Sequence, residues 1–490
     1  MHQHDIFERA RLSRDSRFDG QFFVGVTTTG IYCRPICPAV APKSENVTFY
    51  PTAAAAGEAG FRPCLRCRPE CAPGTPAWNG TSTTVQRGLR LISNGALDDG
   101  SIEQLADRLG VTSRHLRRLF TQHLGASPLA VAHTQRLHFA KRLIDQTNLP
   151  MTHVATAAGY GSVRRFNDTF RQTYGRTPRE LRRRSEDVFD ADTALAVRLT
   201  YSKPFDWQNM LSFLAGRATP GVEQTVGDAY FRTVTVNGRP GVIECCHDGK
   251  RDNVSLVLHG IDTSQMFQVV QRAREMLDLD APVAEIIELL GRDSITSKIA
   301  RRFPGVRVPG AWDGFELTIR AILGQQVSVK AATTLAGRIA ARYGEKVPLP
   351  ASLSAKADEL NLGLLFPRPE KLARARLNDM GLVTSRADTI RRVARSVAAG
   401  EIDFDNAQDP GEFCGRLQTI RGIGEWTAEY VAMRALKYPD AFPASDLGLI
   451  KAMGDEIENA RELKQRAESW RPWRSYAALL LWSSLPGSGG

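Results

Sequence analysis

No uninterrupted apolar run in the sequence approaches the ~18 residues that a membrane helix needs, so a spanning segment is not expected. The first fifteen residues, MHQHDIFERARLSRD, are charged and lack an apolar core. That excludes a secretory signal, and the expected compartment is the reducing cytoplasm. No segment combines a lysine-rich amphipathic face with aromatic anchors, which argues against a membrane-surface role. A dimerisation coil is also missing, so a monomer is expected. Hydrophobic residues make up 42% and charged residues 24% of the 490 positions, which disfavours wholesale disorder, collagen-like repeats and coiled coil. A chain of this length holds about three or four domains.

Acidic residues are scarce in one place. Between Ser101 and Ser185 there are 15 Arg and Lys, 14 of them Arg, against 5 Asp and Glu, while the rest of the chain is close to neutral. A charge of +11 concentrated in this way points to one polyanion-binding module; the bland alternative is a solvated basic surface.

Cysteine is equally uneven. Of eight, five fall in the first 71 residues: Cys33, Cys37, Cys64, Cys67 and Cys71. Two close pairs, Cys33-x3-Cys37 and Cys64-x2-Cys67, allow one tetrahedral Zn2+ to collect four thiolates from two turns. The reducing context disfavours disulfides. Cys71 is left over, and the isolated Cys245, Cys246 and Cys414 read as small buried hydrophobes.

These features divide the chain into a multidomain α+β protein. Residues 1–75 form a small α/β unit with strand-like pieces (GQFFVGVTTTGIYC, ENVTFYP) that leans on its metal for stability. A Pro/Gly/Ser/Thr-rich linker follows, from Cys71 to Thr84. Residues 85–184 are all-α and repetitive. Ala106-x3-Gly110 recurs as Ala155-x3-Gly159, and Leu116 and Phe120 are echoed by Phe166 and Phe170. A small residue where helices cross and a glycine at the turn make a helix-turn-helix, here present twice. Ser113 is the expected cap of the first second helix. The second helices offer Arg114, His115, Arg117 and Arg118, then Arg164 and Arg165, to a major groove. An ordinary helical bundle is the alternative. After a charge inversion at RRRSEDVFDADTALAV, residues 197–265 alternate as a small, mostly antiparallel sheet. It has a hairpin at Asn237-Gly238 and a helix around Asp206 to Ala218. Residues 266–485 are helix-period throughout, and the terminal GSGG is expected to be flexible.

Within that last segment, LQTIRGIGEWTA ends one helix and starts another across Gly422 and Gly424. Glycines let the backbone approach a phosphate, and the next helix supplies amide donors, so a helix-hairpin-helix grips DNA without reading bases. Gly-x-Gly alone is weak evidence. Asp446 follows 22 residues after Gly424, in FPASDLGL at an expected helix start, where ionisation is favoured. A plain helix cap is its other reading.

At this point the chain resembles known families along nearly its whole length. Residues from about 200 to 485, with FDWQNMLSFLAGRA, AWDGFELTIRAILGQQVSV, LQTIRGIGEWTAEYVAMRAL, FPASDLGLIKAMG and WRPWRSYAALLLW, resemble the AlkA family of 3-methyladenine DNA glycosylases within the helix-hairpin-helix superfamily. The front, with TTGIYCRPIC and GFRPCLRCRP, resembles the Ada zinc domain; residues 85–184, with GYGSVRRFNDTFRQTYGRTP, resemble the paired helix-turn-helix of AraC-type regulators. The whole resembles the bacterial Ada–AlkA fusions. The resemblance implies a sensor-regulator joined to a repair enzyme, acting on alkylated and promoter DNA, with RNA polymerase as partner of the activator half. It places Asp446 as catalytic carboxylate and Phe213, Trp426, Tyr430 and Trp473 around a base pocket where electron-rich faces favour a cationic base. Trp426 stands where strand-cutting relatives carry a nucleophilic lysine, implying a monofunctional glycosylase without a cofactor. Gln326 sits at the position of a DNA-inserting leucine, and Leu447 replaces an aromatic that follows the aspartate in some relatives. Cys33 matches a methyl-accepting cysteine, with Cys37, Cys64 and Cys67 as its co-ligands. Four thiolates on one Zn2+ carry a formal charge of −2; methylation of Cys33 reduces the repulsion of DNA. No Pro-Cys-His-Arg text of alkylguanine transferases is present, so direct repair of O-alkylated guanine is not expected. Two rival readings stay open: a regulator with an inactive glycosylase part, and a glycosylase whose front half is only a DNA tether.

Overall fold

A computed structural model of the chain describes residues 3–15, 18–72, 83–93, 95–97, 100–182, 195–404, 409–454 and 457–485. Residues 73–82 of the expected linker, 183–194 at the charge inversion and the terminal GSGG lie outside the described residues. Two compact units result: Met1–Lys203 with Gly249–Ser255 and Asp262–Gln271, and Pro204–Asp248 with Leu256–Ile261 and Arg272–Gly490.

The first unit opens with the helix Gln3–Ser13 and a four-stranded sheet: β1 (Phe23–Val26), β2 (Ile31–Cys33), β3 (Val47–Tyr50) and β4 (Arg62–Pro63), in the order β3-β1-β2-β4. Phe7, Phe18, Phe22 and Phe49 close over one face with Val24 and Val26. β1 and β2 are antiparallel, whereas β2 and β4 are parallel with Tyr32 opposite Pro63. That register sets Cys33, the last residue of β2, beside Cys64, the residue just after β4. A strand pair thus brings together cysteines 31 positions apart, and the backbone N–H of Cys64 donates to Tyr32 O at 3.0 Å.

The helical part of this unit carries the expected repeat. Helix Ile102–Arg108 starts in a capping box between Ser101 and Gln104. Helix Ser113–Leu124 starts one residue earlier than the sequence pattern suggests. Thr112, in extended backbone, accepts the His115 N–H, so Ser113 is the first helical residue rather than the cap. In the second copy, Met151–Ala157 and Val163–Tyr174 repeat the pair, with Ser162 as cap. Gly110 (φ +70) and Gly159 (φ +73) turn the chain in the left-handed region that glycine tolerates best. Leu116, Phe120, Phe166 and Phe170 are all fully buried.

Helix Pro128–Gln146 links the two copies and also receives the cysteine module. Tyr32 Oη lies 2.9 Å from Nε2 of the half-buried His138. Lys141, 3% exposed, donates to Asp145 at 2.5 Å and reaches Glu70 at 3.5 Å; Arg68 also donates to Asp145 at 2.5 Å. Such a buried cluster holds its geometry only while every charge keeps its partner.

In the second unit, β6 (Glu223–Val226), β7 (Ala229–Val236) and β8 (Arg239–Asp248) form an antiparallel meander, after β5 (Leu195–Thr200) of the first unit. Asn237 and Gly238 both have positive φ, +47 and +78, as a type I′ hairpin requires. Helix Trp207–Gly216 is capped by Asp206. Strand β9 (Asn253–His259) follows β8, and beyond it the strands among the described residues reduce to one two-residue ladder, Glu345–Lys346 against Leu364–Leu365, in a helical remainder. Helices Pro410–Gln418 and Glu425–Arg434 form the expected hairpin, helix Leu447–Ala452 starts at Asp446, and helix Arg474–Ser483 packs against it. Among the described residues, no helix is long and apolar enough to cross a membrane.

Candidate functional site

Asp446 is both a helix cap and more than a cap. Its Oδ1 accepts the Leu449 N–H at 3.1 Å, as an N-cap does, and the Trp482 Nε1–H at 3.0 Å. Its Oδ2 accepts the Trp426 Nε1–H at 2.8 Å. Two indoles from different helices therefore fix the rotamer of one half-buried carboxylate. Trp426 lies on the second helix of the hairpin, four residues before Tyr430, and the two rings stack with centroids 5.4 Å apart and planes 9° apart. Trp482 meets Tyr430 edge-on at 6.2 Å. The result is a carboxylate beside three aromatic rings at the start of a short helix.

The remaining expected pocket residues fare differently. Phe213 belongs to the same constellation through arginines: Arg217 lies 3.8 Å over its ring, and Arg434 lies 4.8 Å from it and 5.5 Å from Tyr430. Arg434 also donates to Tyr430 Oη at 2.7 Å. Burial alone would push the Tyr430 phenol up, but the guanidinium charges of Arg434 and Arg217 outweigh it and hold the group below its ordinary value. Trp473 is not brought to this group. It is buried and packs edge-on against Tyr476, whose hydroxyl donates to Asp278 at 2.9 Å. Trp482, nine residues further on, takes the place beside Asp446. The stretch WRPWRSYAALLLW offers three tryptophans, and only packing decides which one stays half-exposed. Leu447, at the altered wall position, is 82% exposed.

The two hairpin glycines have separate reasons. Gly422 has φ +101, and a Cβ there would collide with Thr389 Oγ1, so the fold itself requires glycine. Gly424 has φ −99, and an added Cβ would meet nothing. It caps helix Glu425–Arg434 without a side-chain hydrogen bond, leaving first-turn amides for an outside acceptor. Gln326 is exposed, with φ +55. Its neighbour Gln325 donates to Gly422 O at 3.1 Å and to Thr427 Oγ1 at 2.9 Å, which ties this loop to the hairpin.

In the first unit, Arg114, Arg117, Arg118, Arg164 and Arg165 are exposed, on the faces opposite the buried Leu116/Phe120 and Phe166/Phe170. Arg117 pairs with Glu103 at 3.4 Å and Arg118 lies 3.2 Å from His115 Nδ1. Both contacts are solvent-exposed and leave the charge available to phosphate.

Cys33, Cys37, Cys64 and Cys67 bring their Sγ atoms within 4.8 Å of one another. Backbone N–H groups of Arg34 and Arg66 donate to Cys67 Sγ (3.3 Å) and Cys64 Sγ (3.4 Å), a pattern that supports thiolates. The thiols compete for protons: hydrogen bonds within the cluster hold Cys37 at about 7 and push Cys64 down, while Cys33 and Cys67 are pushed up. A soft divalent cation resolves that competition, and four sulfurs at this spacing suit tetrahedral zinc. Cys33 and Cys37 are the more exposed pair. Cys245 and Cys414 are buried as expected, Cys246 only partly, and nothing is described for the Cys71 side chain.

Comparison with known proteins assigns the chain segment by segment. Residues 7–70 match the metal binding domain of Ada, 105–184 a helix-turn-helix domain, 196–313 the AlkA N-terminal domain and 319–474 the HhH-GPD superfamily of base excision DNA repair proteins. A Mycobacterium tuberculosis protein, "Probable bifunctional transcriptional activator/DNA repair enzyme AlkA", is 42% identical across 98% of this chain and 97% of its own length. The chain belongs to the bifunctional AlkA family. It joins a zinc-binding, helix-turn-helix activator to a DNA glycosylase in one polypeptide. The AlkA-type half alone is 34% identical to DNA-3-methyladenine glycosylase 2 of Escherichia coli, over 58% of this chain and 95% of that one. A 3-methyladenine DNA-glycosylase from Archaeoglobus fulgidus shares the fold over 59% of this chain and 97% of its own (TM-score 0.50, 24% identity). For an AlkA-type fusion, the cysteine cluster holds Zn2+, which keeps its sulfurs deprotonated while one of them can remain nucleophilic.

Proposed function

We propose that this protein excises alkylated purines of the 3-methyladenine type and, through its front half, senses methylated phosphate in DNA. The observation that carries the first part is the Asp446 carboxylate, gripped by Trp426 and Trp482 beside the Tyr430 ring. An alkylated purine is already cationic and departs with the electron pair of the C1′–N bond as a neutral base. The sugar left behind has oxocarbenium character. Asp446 stabilises it while water adds to C1′ and releases its proton. The base must first be turned out of the stack, and aromatic faces then receive it. Hydrolysis with no lysine at Trp426 leaves the strand uncut. Gly424 and its helix hold a phosphate of the backbone, and Gln326 enters the duplex beside the extruded nucleotide.

In the front half, Cys33 is the methyl acceptor. Its sulfur forms the S–CH3 bond as the phosphotriester O–CH3 bond breaks, and a phosphodiester anion leaves. Loss of one thiolate charge from the cluster weakens its repulsion of phosphate, and Arg114, Arg117, Arg118, Arg164 and Arg165 then hold promoter DNA. We assign the segments 1–75, 85–184, 197–265 and 266–485 to the four modules. The reading includes a monomer in the cytoplasm that engages RNA polymerase.

The test is a product assay on methylated duplex DNA. Free 3-methyladenine is released, the strand stays intact until treated with alkali, and Asp446→Asn slows release by about three orders of magnitude while the fold is kept. Undiminished release by that variant rules out the role of Asp446. For the front half, mass spectrometry after exposure to methylphosphotriester DNA reads one added methyl on Cys33; no added mass leaves the module a structural clip.

A further inference from the structure

The aromatic rings of the second unit are not equally free to receive a cation. Arg217 covers Phe213 at 3.8 Å, and Arg434 sits between Phe213 and Tyr430, at 4.8 and 5.5 Å. Arg434 is buried and anchored to Pro309 O (2.8 Å), Gly310 O (3.3 Å) and Tyr430 Oη (2.7 Å). Arg217 holds Phe213 O through Nη1 at 3.4 Å. Among the described residues, no carboxylate pairs with either guanidinium.

The acidic side chains close by are already engaged. A cavity lined in part by Arg217 and Arg434 also contains Glu223, Glu316, Arg232 and Arg320. These four form a square: Arg232 and Arg320 each pair with both Glu223 and Glu316. Two carboxylates and two guanidiniums cancel. Asp313, the one other acidic residue of that lining, caps helix Gly314–Leu323 through the Glu316 N–H. With Asp313 set against them, Arg217 and Arg434 leave the lining a net positive charge of one, and they lie against two of the rings expected to attract a cationic base.

We propose that Arg217 is a specificity-determining residue of the glycosylase, acting by charge: it occupies Phe213 and sets a fixed cation behind the pocket wall, which lowers the preference for positively charged over neutral damaged bases. This rests on the glycosylase reading of Asp446, Trp426 and Tyr430. Cation attraction then falls to Trp426 and Trp482, whose N–H groups are turned to Asp446. Arg434 adds to the same field, but it is tied to two carbonyls and is structural as well. Arg217 is partly exposed, and its removal leaves that anchorage in place.

The experiment compares kcat/KM for a cationic base, N7-methylguanine, with that for a neutral base, hypoxanthine, in one duplex context. Arg217→Met and Arg217→Gln remove the charge, and Arg217→Lys keeps it; unfolding midpoints confirm that each is folded, and the two neutral variants guard against one that fails. The ratio of cationic to neutral rises about three- to tenfold in the neutral variants. That is the scale of one unit charge about 10 Å away at an effective dielectric near 20, reduced by salt. In Arg217→Lys the ratio stays near the parent value. An unchanged ratio in the neutral variants overturns the proposal, and so does an equal shift in Arg217→Lys, which would trace the effect to packing. Failure of the underlying glycosylase reading looks different: the parent protein then releases neither base.

Discussion

Replacing Asp446 by Asn changes one oxygen to an amide and separates two things the carboxylate does. The native group accepts three N–H donors: Leu449 and Trp482 on Oδ1, and Trp426 on Oδ2. An asparagine has one carbonyl oxygen. Its best orientation keeps that oxygen on Leu449 and Trp482, and this turns the NH2 toward the Trp426 Nε1–H, donor against donor. The loss of one charge-assisted bond plus that mismatch costs about 1–3 kcal/mol, toward the lower end because the group is half-exposed. The chemical cost is larger. A carboxylate about 4 Å from a developing sugar cation, at an effective dielectric near 20, contributes about 4 kcal/mol, which is about a thousandfold in rate. Single-turnover release of free base from methylated duplex should therefore fall by about three orders of magnitude, and urea unfolding should show the smaller loss. Adding Trp426→Phe removes the unmatched donor and keeps a ring on Tyr430. The double variant should recover much of the stability and none of the rate. Release by Asp446→Asn within tenfold of the parent would refute the electrostatic role. Parent-like stability of the single variant would refute the hydrogen-bond account of how the carboxylate is held.

Four further predictions concern other parts of the chain. Lys141→Met leaves Glu70 and Asp145 buried with Arg68 as their remaining cation, and calorimetry should show the first unit less stable by about 3–5 kcal/mol. Burial, reinforced by the charge of Arg142, holds His138 at about 3, so the fold favours its neutral ring. Its stabilising contribution is complete above the unfolded value near 6.5 and is lost as pH falls toward 3, amounting to about 2 kcal/mol by pH 5. In His138→Gln, which shares every cysteine with the parent, that slope in the unfolding midpoint should disappear. Gly422→Ala should destabilise the second unit, because a Cβ meets Thr389 at positive φ. Gly424→Ala should cost only about 0.5–1 kcal/mol of stability, the cost of alanine at a helix N-cap, yet weaken binding to undamaged duplex severalfold, as measured by fluorescence anisotropy.

Much of the architecture was readable from residue spacing because the signals are local or repeated. The Ala-x3-Gly repeat, the Arg-rich second helices, the Asn237-Gly238 hairpin and the helix start at Asp446 each depend on neighbours within a turn or two. The four cysteines announced a metal through their pairing, and the parallel register of β2 with β4 then brought the pairs together. The small ladder at Glu345–Lys346 was too short to leave a periodic trace.

What the chain determined by itself was therefore composition, segment order and the residue types that each chemistry needs. Tertiary structure alone decided which tryptophan serves Asp446. Trp473 and Trp482 share one hydrophobic stretch, and their roles diverge because helix Arg474–Ser483 turns the first into the core and the second toward the carboxylate. It also decided that Arg434 reaches the Phe213 ring, and that Tyr32 and Arg68, each next to a zinc-binding cysteine, both reach the helix Pro128–Gln146. These contacts join residues 36 to 221 positions apart in sequence, and a one-dimensional pattern contains no distance across space.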